Sequence, residues 1–112
     1  MYILVDLKLR DVELEEPDDT HRFHVAVAHG DDYAAVADVL AEKDIGHVDA
    51  DDEEEHAWVA VDAVQAMAVG RTKHGWEDHF DKMLKTAAKH GWLSDDKTHL
   101  KAHLDWIDVD GV

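Results

Sequence analysis

The order in which the apolar period of this 112-residue chain switches between two residues and 3.6 limits its fold more than any other feature. Residues 2–14 alternate, with Ile3, Val5, Leu7 and Leu9 on one side and Asp6, Lys8 and Arg10 on the other, which predicts a half-buried strand. Residues 15–20 read as a loop, and Pro17 stops a strand from running through it. Phe23, Val25 and Val27 then alternate with His24, Ala26 and Ala28. The second face of that strand is small rather than charged, so packing against something is expected there. Asp31 and Asp32 open a helix whose stripe is Tyr33, Val36, Ala37 and Leu40, with Asp44, Ile45 and Gly46 as its exit.

Residues 45–50 and 56–61 predict two short strands, joined by the charged hairpin tip at 51–55. Asp62 and Gln65 have the spacing of a capping box, which starts a short helix stopped by Gly70. The strongest helix is predicted over 75–90. Trp76, Phe80, Met83, Leu84 and Ala87 make its apolar face, with acids at its start and Lys85, Lys89 and His90 at its end. Gly91 suits the left-handed position after the last turn, and Trp92 is placed to fold back on it. Residues 98–106 alternate as a last strand. The order predicts an α+β fold in one domain spanning 1–112: a ferredoxin-like split βαβ (β-α-β-β-α-β) with an additional N-terminal strand. Its sheet is expected to be antiparallel, with helices on one face.

Charge narrows the partners. Asp and Glu number 27 against 11 Lys and Arg, a formal −16, and this field repels nucleic-acid backbones and anionic membranes. Neither class is an expected partner. Solubility is expected to fall as the pH nears the pI of about 4.7. The 46% apolar content suffices for one modest core, and with no Cys, disulfides, thiolate zinc sites and Cys nucleophiles are excluded. No apolar run approaches the ~20 residues of a membrane span. The short apolar start lacks the basic residues that precede a signal sequence, so a cytoplasmic location is expected.

The segment His56-Ala57-Trp58-Val59-Ala60-Val61-Asp62, with Gly75-Trp76 and Lys89-His90-Gly91-Trp92, resembles short uncharacterised actinobacterial proteins. The resemblance falls within 56–92 and rests on core residues and caps, so it implies no activity.

Ten histidines are the main chemical resource. His99 and His103, four apart on a strand, lie about 13 Å from each other and cannot share an ion. His24, His29, His56 and His103 could converge from neighbouring strands with an Asp, and these are the candidate metal ligands. His24 and His56 are the candidate acid–base residues. The acidic tip at 49–55 lacks the pattern of an EF-hand loop, and the tail of Asp105, Asp108, Asp110 and Gly111 resembles only the opening of one. No phosphate-binding glycine loop or nucleophile elbow is present, and no cofactor is expected. Trp76, Trp92 and Trp106 occupy core-facing positions. Trp58 falls opposite Ala57, Val59 and Val61, so either its strand is buried on both sides, the favoured reading, or Trp58 belongs to an interface or pocket. The expected function is a non-catalytic binding or interaction module, a homo-oligomer formed through the sheet. The alternatives are a small enzyme with a sheet-lined pocket and a His acid/base, or a His/Asp metal-binding protein.

Overall fold

The computed structural model describes residues 1–30, 32–48 and 56–107. Six strands and three helices follow in the order β1 (Tyr2–Asp6), β2 (Asp11–Glu15), β3 (His24–Ala28), α1 (Tyr33–Glu42), β4 (Gly46–Val48), β5 (His56–Ala60), α2 (Val61–Ala68), α3 (Trp76–Lys89) and β6 (His99–Trp106). The strands form one mixed sheet in the order β2-β1-β3-β6-β5-β4. The β1–β3 and β3–β6 pairs are parallel, and the other pairs are antiparallel. The fold is α+β as expected, but the strand order departs from the ferredoxin-like one. The last strand enters between β3 and β5, pairing with both, rather than lying outside β3. The expected hairpin tip at 51–55 and the tail beyond 107 lie outside the described residues.

The predicted single strand over 2–14 is a hairpin. Asp6 Oδ1 accepts hydrogen bonds from the Lys8 and Leu9 amides at 3.0 and 3.1 Å. This side-chain turn ends β1 at Asp6, and Leu9 is left 71% exposed. Elsewhere local signals are followed closely. Asp32 caps α1 by accepting from the Ala34 and Ala35 amides. α3 ends in a Schellman motif, with Gly91 at φ 76°, its amide donating to Ala88 O at 3.3 Å and the Trp92 amide to Ala87 O at 2.8 Å. The capping box predicted at Asp62 does not form. β5 runs directly into α2, whose cap position is Ala60, and Asp62 sits in the first turn. The Val61 amide donates instead to the Thr98 carbonyl at 2.9 Å.

One face of the sheet carries the core. Ile3 and Val5, Val25 and Val27, Ala57 and Val59, and Leu100, Ala102 and Leu104 join the buried residues of all three helices in one cluster. Helix α1 touches both β2 and β4, on opposite edges of the sheet, so the sheet curls around it. Ala26 and Ala28 are buried too, but they point away from this cluster. No helix among the described residues is long and apolar enough to cross a membrane.

Candidate functional site: the outer face of the sheet

Residues paired across a sheet share a face, so the register places the predicted site residues directly. Tyr2 pairs with His24, His24 with His103, and His103 with His56. These four form one row across β1, β3, β6 and β5 on the face opposite the core, with neighbouring strands about 4.8 Å apart. Glu15 extends the row on β2. Tyr2 stacks on His24 with ring centroids 5.0 Å apart, and His56 meets His103 edge-on at 5.4 Å. Burial raises the Tyr2 pKa above its ordinary value, assisted by the carboxylates of Glu15 and Glu16.

Trp58 lies on the same face, two residues from His56. It pairs with Lys101 on one side and His47 on the other, and the Lys101 ammonium stands 5.9 Å from its ring centroid. β5 is therefore half-buried, with Trp58 partly exposed on the outer face rather than enclosed between two layers. Beside the histidine row runs a second row of Leu4, Ala26 and Asp105. The face is therefore mixed: Tyr2, Leu4, Ala26 and Ala28 form an uncharged patch, Asp105 stands beside Ala26 and Asp6 beside Ala28, Glu13 and Glu15 run along β2, and Lys101 lies on β6.

His29 is the predicted residue that does not join the others. It sits at φ 63° just past β3, with Nε2 3.8 Å from Asp6 Oδ2. His24, His56 and His103 come together, with His103 exposed and His24 and His56 partly buried. Among the described residues no group of three or more His, Asp or Glu side chains is arranged to hold a metal ion. His99, on β6 with His103, packs at 5.1 Å against His47, in keeping with the strand spacing.

Two of the three tryptophans placed in the core are not there. Trp76 is, at 5% exposure, but Trp92 is 51% and Trp106 36% exposed. Trp92 follows the Schellman glycine and stacks on His90 at 4.6 Å, outside the core. It borders a cavity of about 470 Å³ that sequence reasoning did not anticipate, between α3 and residues 20–23. Its walls come from segments 60 residues apart in sequence, and no local pattern joins them. Comparison of the chain with protein-family models, with curated proteins and with solved structures gives no match in any of the three.

Proposed function

We propose that this protein is a non-catalytic interaction module that self-associates through the outer face of its sheet. One observation carries the reading. Among the described residues the helices pack on the inner face, while the outer face carries an uncharged patch of Tyr2, Leu4, Ala26 and Ala28, flanked by Asp6 and Asp105, with the partly exposed Trp58 two strands away on β5. A two-fold pairing uses the same face on both copies, and residues away from the axis meet different residues of the partner. It can therefore place Lys101 and Trp58 of one copy opposite the β2 acids of the other, while the uncharged patches meet near the axis. Partly exposed tryptophan is the residue type expected to anchor such a contact.

Among the described residues His103 is exposed and His24 and His56 are only partly buried, so the row offers little enclosure to exclude water or orient a substrate, which supports this reading over acid–base catalysis. The test is the mass in solution by analytical ultracentrifugation across a concentration series. A concentration-dependent dimer, weakened at least ~10-fold by Trp58→Ala, is the expected result. A monomer at every concentration in the wild type rejects the reading.

A further inference from the structure

We infer that the cavity between α3 and the approach to β3 is a binding site for a small molecule that combines an aromatic ring with a single anionic group. The cavity arises from a gap in strand pairing. β3 joins β6 at His103, whereas the segment before β6 joins it at Leu100 through Leu93. The hollow lies where these two partners of β6 separate. Helix α3 closes it with His79, Lys82, Met83, Thr86 and Ala87, whose spacing of three and four residues defines one helix face. At about 470 Å³ it falls within the range of small-ligand sites.

The lining runs against the composition of the chain. Acids outnumber Lys and Arg by 27 to 11, yet among the described residues no Asp or Glu lines the cavity, whereas Arg22, Lys82 and Lys101 do, with His21 and His79. Neither Arg22 nor Lys82 forms an ion pair among the described residues. Lys101 directs its ammonium towards Trp58, so Arg22 and Lys82 are the cations that would meet an anion. The remaining surface suits a flat apolar body, with Phe23, Met83 and Leu100 inside and the half-exposed Trp92 at the edge. A net charge of −16 repels anions at long range, and repulsion grows with ligand charge. The pair therefore suits a monoanion such as an aryl carboxylate or sulfonate better than a polyphosphate.

The test uses 8-anilinonaphthalene-1-sulfonate, an aromatic monoanion, beside uncharged N-phenyl-1-naphthylamine, both titrated by fluorescence into the purified protein and into Arg22→Gln/Lys82→Gln. Both substituted residues are exposed, and circular dichroism checks that the variant is folded. Saturable binding of the anion is expected, weakened at least ~10-fold in the double variant, with the neutral dye unchanged. Absence of saturable binding, equal weakening of both dyes, or an unaltered anion affinity overturns the inference. A second reading maps anion-induced amide shifts in the wild type by NMR. Shifts at His79, Lys82, Thr86 and the Trp92 indole support the site, and shifts confined to the outer sheet face reject it.

Discussion

The indole Nε1–H of Trp76 donates to the Pro17 carbonyl at 2.5 Å, joining residues 59 positions apart. Around it the Lys73 amide donates to Asp18 Oδ1 at 2.9 Å, and the Met1 ammonium donates to Asp19 O at 2.7 Å. The first two bonds tie the loop before β3 to the start of α3, and the third ties the same loop to the N-terminus. Trp76 also stacks on Phe80 at 4.8 Å. Trp76→Phe keeps the ring and removes the donor, so it is expected to lower unfolding stability by about 1 kcal/mol. Trp76→Ala removes the ring as well and is expected to cost about 3–5 kcal/mol. Urea denaturation separates the two, and a Phe variant as stable as wild type would show that the hydrogen bond adds nothing.

Gly46 and Asp44 exchange the roles that their residue types suggest. Asp44 takes the left-handed conformation after α1, at φ 55°, while Gly46 lies in β4, where an added Cβ would run into the Trp58 carbonyl. Gly46→Ala is expected to cost about 1–3 kcal/mol by overpacking the β4–β5 pair. Asp44→Gly relieves backbone strain and is expected to be neutral or slightly stabilising. Thermal unfolding of both variants checks the assignment; a tolerated Ala at 46 would contradict it.

The outer face offers a test that leaves the core untouched. His103 is exposed in the middle of the row, between His24 and His56. His103→Glu places an additional negative charge at the centre of the proposed contact. Self-association should weaken, while monomer stability stays within about 0.5 kcal/mol. Sedimentation and denaturation are measured on the same sample. Unchanged association would move the contact off this face.

Asp96 supplies the clearest pH dependence. Hydroxyls of Thr98 and Ser94 donate to its Oδ1 at 2.6 and 2.7 Å, and the Thr98 amide adds a third bond at 3.2 Å. The Thr98 hydroxyl, then the Ser94 hydroxyl and the Thr98 amide, hold the carboxyl at about 2, below the ordinary 3.8. A depressed folded-state value stabilises this turn above the ordinary carboxylate range. The contribution is lost as the pH falls from about 4 towards 2. A carboxyl-carbon NMR titration should find the low value in the wild type and a value raised towards 3.8 in Ser94→Ala/Thr98→Val, which keeps only the amide bond. An ordinary wild-type value would mean that the three bonds are not populated in solution.

How far each part was legible follows from the range of the forces behind it. Helix α3 was readable end to end because its apolar stripe, terminal charges and Gly91 all act within a few residues. The 2–14 segment misled for the same reason. Its alternation continues to Leu9, and only the Asp6 side chain, which can close a turn on the next amides, signalled the break. The Asp62–Gln65 spacing was a valid local signal, displaced by the Thr98 carbonyl arriving from a distant part of the chain. Trp92 was misread because a helical stripe does not reveal where the helix ends relative to the core.

By itself the sequence determined the α+β class, the kind of structure in most segments, and a surface dominated by carboxylates. Periodicity, capping and net charge need only neighbouring residues or a simple count. The tertiary structure alone decided that β6 lies between β3 and β5. With that pairing came the histidine row on the outer face and the cation-lined hollow beside Trp92. Strand order depends on which exposed edges meet across tens of residues. One register then sets every side chain on that strand to a face at once, so neither the row nor the hollow exists until the edges have paired.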